Sequence, residues 1–308
     1  MAVYPRAAGS PDYSGNYIPE IWDPRIQVRF YKKSVAWDIC NTSYEGDFKK
    51  FGDTVNIRTY PDIVTGTYSK NMELNVQIPD SSKIQMLIDK GQYYYIQVDD
   101  VDEIQSDVKM LNSWSDTAAD QLKVAVDKDV IQGIYDDAHA SNKGGSAGAD
   151  SAVYNLGASG APVALTKVNI TDYITDIGTV LEEQDIPDSE RWIVLPPVFT
   201  NLIPKSDLKD VSLTGDKVSP LRNGKLGEIA NMRIYVSRQL YSTTDSTGAK
   251  VWYCLAGHPI AVSFATQLSK TESIRTEHAF ASRIRGLEVY GYKTVKTSGL
   301  ACLYARVG

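Results

Sequence analysis

An α+β fold is predicted, on three observations. From Asp53 to Ile78, stretches of apolar and polar residues alternate with the period of two that half-exposed strands require. From Asp99 to about Ala140, apolar residues instead recur every three or four positions, as on one face of a long helix. A Gly-rich stretch over 142–162 then separates these elements from a second segment that mixes helical and strand patterns.

Taken in order, the first thirty or so residues carry Pro5, Pro11, Pro19 and Pro24, with Tyr4, Tyr13, Tyr17 and Trp22 spaced among Gly and Ser. They have neither period and read as an extended arm over 1–35. Such a segment cannot bury its own aromatics, so it is expected to be either mobile or ordered against another surface, a neighbouring chain among the possibilities. Next, Val55, Ile57 and Thr59 face one way and Thr54, Asn56 and Arg58 the other. Gly66, Ser69, Lys70 and Asn71 supply turn material, and Leu74, Val76 and Ile78 are expected to return as the second strand. A two-stranded ribbon is marginally stable in water, so something outside it must support it. Two core strands are expected at Lys83–Ile88 and Tyr93–Val98, joined by a turn at Asp89–Gln92.

The helical run opens on Asp99, Asp100, Asp102 and Glu103, acids that suit the positive end of the helix dipole. Its apolar face runs through Ile104, Val108, Leu111, Ala118, Leu122, Val126, Val130 and Ile134. Carried to Ala140 it makes roughly 35 residues and about 50 Å of helix, about three times the usual length, which suits the spine of a flat body. The Gly-rich segment reads as a flexible connection and a subdomain boundary. Beyond it are expected a helix over Thr171–Gln184, a strand over Arg191–Leu195, a short helix opened by Pro196 and Pro197, strands at Met232–Val236 and Val251–Leu255, and a segment Ile260–Leu268. Strands at Leu287–Tyr292 and Leu300–Ala305 are expected to rejoin the first sheet, making the first subdomain discontinuous.

Composition excludes several classes. The 308 residues are 43% hydrophobic and 23% charged, enough for a real core. No run reaches the roughly 18 consecutive apolar residues of a membrane-spanning helix. The N-terminus has no basic segment followed by an apolar stretch, so the chain is expected to stay in the cytosol. A net charge of -6 argues against a protein that coats nucleic acid, which would concentrate Lys and Arg. Cys40, Cys254 and Cys302 are odd in number and far apart, and read as small buried hydrophobes.

Chemical motifs are weak. His139, His258 and His278 stand alone, and His258 reads as a turn residue. Gly144-Gly145-Ser146-Ala147-Gly148 follows a helix and lacks the ending of a phosphate loop. The acids at 99–103 lack the glycine and closing glutamate of a calcium loop. Glu182 and Glu183 are helix neighbours that point apart, and no G-x-S-x-G elbow occurs. No catalytic residue, cofactor or metal is therefore expected.

The order of parts resembles the Hong Kong 97 type of phage major capsid protein: arm, long two-stranded E-loop, spine helix, axial domain and return to a peripheral domain. The local stretches that carry the resemblance are Gly52-Asp53-Thr54-Val55-Asn56-Ile57, Tyr93 to Gln105, Leu226 to Ser237, and Gly286 to Val295. It implies an arm over 1–35, a peripheral domain begun over 36–165 with the E-loop at 53–80 and the spine helix at 103–140, an axial domain over 166–272, and peripheral return strands over 273–308. It further implies pentamers and hexamers in an icosahedral shell around double-stranded DNA, located in the virion and assembled in the host cytoplasm. Inter-subunit contacts are then expected from Tyr4, Tyr13, Tyr17, Trp22, Ile63, Val64, Tyr68, Lys70 and Met72. Two departures from the type member stand out. The chain starts almost at once with the arm, so a separate scaffolding protein is expected beside a portal and, optionally, a decoration protein. The type member's cross-link joins a lysine near the E-loop tip to a late asparagine; Lys70 fits the first role, but no asparagine follows Asn231, so no such bond is expected. An encapsulin-like compartment and, more distantly, a two-domain enzyme hinged at the Gly-rich segment are the alternatives.

Overall fold

Among the described residues, the strands form a two-stranded ribbon and two larger sheets of three and seven strands. The structure, a computed structural model, describes residues 34–43, 54–58, 63–78, 83–105, 110–206, 227–277 and 279–308. The arm residues Tyr4, Tyr13, Tyr17 and Trp22 lie outside them, as do Val108 and His278. Strands β1 (Thr54–Arg58) and β2 (Lys83–Leu87) pair antiparallel, Thr54 opposite Leu87 and Arg58 opposite Lys83. They form the stem of the E-loop. The return strand expected at Leu74, Val76 and Ile78 does not form; residues 63–78 are neither strand nor helix, and Lys83–Leu87 closes the ribbon instead. Packing explains the difference, because a two-stranded ladder persists only where it can bury a face. At the stem, Ile57, Met86 and Ile88 are buried with Ala265.

Strand β3 (Lys90–Asp99) follows after only Ile88 and Asp89, so most of the expected Asp89–Gln92 turn is already strand. With β10 (Val262–Arg275) and β11 (Ala281–Thr294) it makes an antiparallel three-stranded sheet in the order β10-β11-β3. Tyr93 sits opposite Leu287 and Ile96 opposite Ile284. The acids then open α2 (Asp100–Gln105), and the spine helix is α3 (Met110–Gly133). Its 24 residues span about 36 Å. The helix expected to reach Ala140 thus stops at Gly133, a poor helix residue, and the next residues are claimed by tertiary bonds. Ile134 is buried, Asp137 accepts from Thr294 Oγ1 at 2.6 Å, and Lys143 pairs with Asp136 at 2.9 Å. A polar clamp fixes α3 on its sheet: Lys90 Nζ donates to Asp129 at 2.9 Å and to Tyr292 at 2.7 Å, and Tyr290 donates to the same carboxylate.

The Gly-rich segment is packed, which corrects its reading as a flexible connection. Ala147 and Leu156 are fully buried, and the Asn142 side chain donates to the carbonyls of Ser298 and Leu300 at 2.7 and 2.8 Å. Gly157 has a positive φ and passes so close to the Tyr304 backbone that a β-carbon would lie 2.2 Å from its carbonyl oxygen. Glycine at 157 therefore permits both the close approach and the left-handed backbone that a side chain would strain.

The second sheet has seven strands, in the order β4-β12-β9-β5-β7-β6 with β8 beside β9. These are β4 (Val163–Leu165), β5 (Arg191–Leu195), β6 (Glu228–Ile229), β7 (Met232–Val236), β8 (Ser242–Thr244), β9 (Lys250–Gly257) and β12 (Leu300–Val307). All five residues of β5 are buried, as a central strand covered on both faces requires. On one face, Ile193, Leu195, Cys254 and Leu303 pack with Ile174, Ile177 and Leu181 of α4 (Ile170–Glu182). On the other, Trp192, Val194, Leu255 and Cys302 meet Val126, Val130 and Ile131 of α3, Ile39 of α1 (Ala36–Ile39), and Phe264 and Tyr290. The short helix expected after Pro196 is α5 (Pro197–Thr200). The two closing strands part company: β11 rejoins the first sheet as expected, whereas β12, expected beside it, lies between β4 and β9 in the second. Period alone marks a strand; which edge it meets is decided by packing, here by apolar residues on both faces of β12.

Candidate assembly surfaces

The E-loop combines an anchored stem with an unsupported tip. Ser69 and Met72 close a turn through Met72 N–H to the Ser69 carbonyl at 3.2 Å, with Asn71 in the left-handed region that asparagine tolerates. Across the loop, the Gln77 amide substitutes for a strand ladder: Nε2 donates to the Val64 carbonyl at 2.6 Å, and Oε1 accepts from Val64 N–H at 3.2 Å. Every residue from 63 to 78 is exposed. Tyr68 is 71%, Val76 87% and Ile78 90% accessible, and Ile63, Val64, Lys70 and Met72 are exposed beside them. The five expected E-loop contacts are thus together on one solvent-facing tip, joined by Leu74, Val76 and Ile78. Apolar side chains grouped this way mark an interaction surface.

Where the arm joins the body, Asp127 of α3 holds its root. One carboxylate oxygen accepts from Val35 N–H at 2.7 Å, Ala36 N–H at 2.6 Å and Ser34 Oγ at 3.0 Å, while Gln239 Nε2 donates to the other oxygen. Gln132 in turn donates to the Gln239 carbonyl at 3.0 Å. One acid thereby ties the spine, the arm root and the second sheet's β7–β8 connection. Burial pushes its carboxyl above the usual carboxylate range, against the pull of its backbone donors. Sequence pattern missed it; the only signal is an acid directly after Val126 on the apolar side of the helix.

The three-stranded sheet presents α3 with one face and leaves the other open. Tyr93 and Tyr95 on β3 and Leu287 on β11 are exposed, among an ionic ladder in which Arg285 donates to Glu272 at 2.6 Å and Lys270 pairs with the same carboxylate. Arg283 bonds Gln97 at 2.6 Å and Tyr95 at 2.8 Å. At the β10–β11 hairpin, Phe280 is exposed and Arg275 grips Asp100 at 2.6 Å.

The residues weighed for chemistry are engaged in structure. His258 and His139 accept from backbone N–H two residues on, at 3.1 and 3.3 Å, so both are turn residues. The Glu183 carboxylate accepts from Asp150 and Ser151 N–H at 3.0 and 3.2 Å, just after the Gly-rich loop. Those bonds, led by one from the Ser151 side chain, hold Glu183 below the usual carboxylate range. Glu182 turns instead to the buried Arg191, at 3.2 Å. All three cysteines are buried and free, and burial pushes the Cys302 thiol up to about 12, far from a reactive thiolate. Among the described residues, no group of three or more His, Cys, Asp and Glu could hold a metal ion, and no helix is long and apolar enough to cross a membrane.

No protein-family model and no curated protein matches the chain. Solved structures do. A chain of Mycobacterium phage Che8 superposes with a TM-score of 0.75 at 24% identity, covering 93% of this chain and 97% of that one. A chain of the cyanophage P-SCSP1u capsid gives 0.71 at 15% identity, covering 95% and 94%. The capsid of a native GTA particle gives 0.69 at 11% identity, covering 99% and 100%. The chain has the phage capsid fold over nearly its whole length, the α+β architecture of the Hong Kong 97 type.

Proposed function

We propose that this chain is a major capsid protein that assembles into the icosahedral head shell of a tailed phage, around double-stranded DNA. One observation carries the reading: within a capsid fold, the E-loop stem is rooted in the core while its tip, residues 63–78, exposes apolar side chains it has no means of burying. A neighbouring subunit supplies that burial, so Ile63, Val64, Tyr68, Lys70 and Met72 are inter-subunit contacts, and Tyr4, Tyr13, Tyr17 and Trp22 of the arm make others. The three-stranded sheet with α3 serves as the peripheral domain, and the seven-stranded sheet with α4 as the axial domain, which therefore takes in β12 and yields most of β10 to the peripheral side. The protein acts by association, with no catalytic step. Its partners are copies of itself, a separate scaffolding protein, a portal and, optionally, a decoration protein; it resides in the virion after assembly in the host cytoplasm. Without a late asparagine to receive Lys70, the shell is held by non-covalent contacts.

Negative-stain electron microscopy of the purified chain, alone and with a candidate scaffolding protein, tests this. Rings or closed shells are expected, separable into monomers by boiling in detergent. A chain that stays monomeric under every assembly condition overturns the reading.

A further inference from the structure

Strand β10 is an outer strand of the three-stranded sheet, paired with β11 on one side only. At its start the other side is taken by the chain itself: Phe264 N–H donates to the Asn41 carbonyl at 3.0 Å, and Asn41 N–H to the Val262 carbonyl at 2.8 Å. Backbone groups of the even-numbered residues therefore point outward there. A bulge between Thr266 and Leu268 shifts the register by one, so beyond it the outward groups belong to Ser269, Thr271 and Ser273. No described strand pairs with them. The free length of edge, from Thr266 to Arg275, is centred near Thr271, and Lys270, Thr271, Ser273 and Ile274 are all exposed.

Read outward from Thr271, the sequence of this edge is complementary to its own reverse. Lys270 mirrors Glu272, Ser269 mirrors Ser273, and Leu268 mirrors Ile274. Two copies laid antiparallel with Thr271 facing Thr271 set a cation opposite an acid twice, an apolar residue opposite another twice, and serine opposite serine between them. Outward backbone groups at alternate residues admit only symmetric registers centred on a residue. Centring the pair one residue earlier sets Lys270 against Lys270, and one residue later Glu272 against Glu272, which like-charge repulsion disfavours. In the Thr271 register, Thr271 and the Ser269–Ser273 pairs take the hydrogen-bonded positions, about six bonds in all, and Lys270 and Glu272 fall at the positions between, where side chains come closest. An edge carrying one sign of charge keeps copies apart; this one carries both, and Lys270 already pairs with Glu272 of its own strand.

We propose that the β10 edge of one copy pairs with the β10 edge of a second, antiparallel about a two-fold axis at Thr271, joining two three-stranded sheets into one of six strands. The contact is isologous, the same edge on both partners, so it closes at two copies. It needs no shell; within the proposed shell it is a two-fold contact between subunits, separate from those assigned to the arm and the E-loop. Backbone pairing supplies the attraction, and the mirrored charges set the register.

Two experiments test it on the full chain. Thr271→Cys places a thiol on the axis, where facing α-carbons lie about 5.5 Å apart, within disulfide reach, whereas the two thiols of Ser273→Cys chains lie about 13 Å apart along the strands. The native cysteines are buried, so a mild oxidant should link Thr271→Cys chains into dimers at least about tenfold more than Ser273→Cys chains. Equal linkage at both positions, or none at 271, overturns the proposal. In the second experiment, Lys270→Glu and Glu272→Lys chains are prepared separately. Each alone sets like charges face to face twice and should associate at least about tenfold more weakly, read by sedimentation. Mixed one to one, the two chains meet opposite charges at both positions, and association should return. A mixture as weak as its components overturns the pairing, as does protection of the Thr271 amide from hydrogen exchange in the dilute monomer, the mark of a strand from the same chain. Dimers linked at 271 from a chain that forms no shell leave this contact standing and sink the shell reading; shells in which Thr271→Cys stays unlinked do the reverse.

Discussion

Two carboxylates show how single residues set the stability of this fold. Asp127 satisfies four donors at once, two of them backbone N–H groups at the start of α1. Replacing it with alanine leaves buried donors unpaired, each costing roughly 1–3 kcal/mol. Asp127→Ala should therefore lower the unfolding free energy by about 3 kcal/mol in urea titrations, and Asp127→Asn, which keeps one acceptor oxygen, by about half as much. Asp245 is the opposite electrostatic case. It accepts from Gly160 N–H at 2.9 Å, from Tyr304 OH at 2.8 Å and from Thr247, and these bonds hold its carboxyl well below the usual range. A folded-state pKa below the unfolded value means stability that is complete above the unfolded pKa of about 3.9 and is lost as pH falls from there. Wild type should thus lose more stability than Asp245→Asn between pH 5 and pH 2, a difference read by denaturant titration at each pH; parallel curves would remove Asp245 from the account of acid stability.

Elements divide into those that stabilise the monomer and those that the proposed shell would cover with neighbouring copies. α4 buries Ile170, Ile174, Ile177, Val180 and Leu181 against the second sheet, and Arg191 closes its C-terminal end by donating to the carbonyls of Gly178 and Ile186. The E-loop tip buries nothing of its own. Changing Leu74, Val76 and Ile78 together to serine should leave the monomer's thermal midpoint almost unmoved, the summed change lying within about 1 kcal/mol, because exposed positions contribute little. The same variant should fail to form rings or shells by electron microscopy. Loss of monomer stability instead would mean that the tip packs within its own chain.

At the scale of the molecule, association and protection should be linked. Lys70 sits at the turn of an exposed tip, a favoured site for proteolysis. Trypsin should cut the unassembled chain after Lys70 within minutes and leave the assembled form intact there, with the fragments identified by mass spectrometry. Equal cleavage in both forms would show that the tip stays open in the shell. The spine helix gives this behaviour a frame, since α3 contacts both sheets and, through Asp127, the root of the arm.

Local pattern determined much of this. The strands at Thr54–Arg58, Lys83–Leu87, Arg191–Leu195 and Met232–Val236, the helices at 110–133 and 170–182, and the apolar tip were legible because a period of two or of 3.6 is imposed by the backbone geometry itself. Only tertiary structure decided that Lys83–Leu87, and not Leu74–Ile78, closes the ribbon, that the spine ends at Gly133, that the Gly-rich segment is packed, and that β12 crosses to the second sheet. Each depends on what lies across from a residue in space. Period says that a strand has two faces; burial and unpaired backbone groups decide which partner covers them, and that partner can lie far along the sequence, as where β12 pairs Ala305 with Val163 of β4.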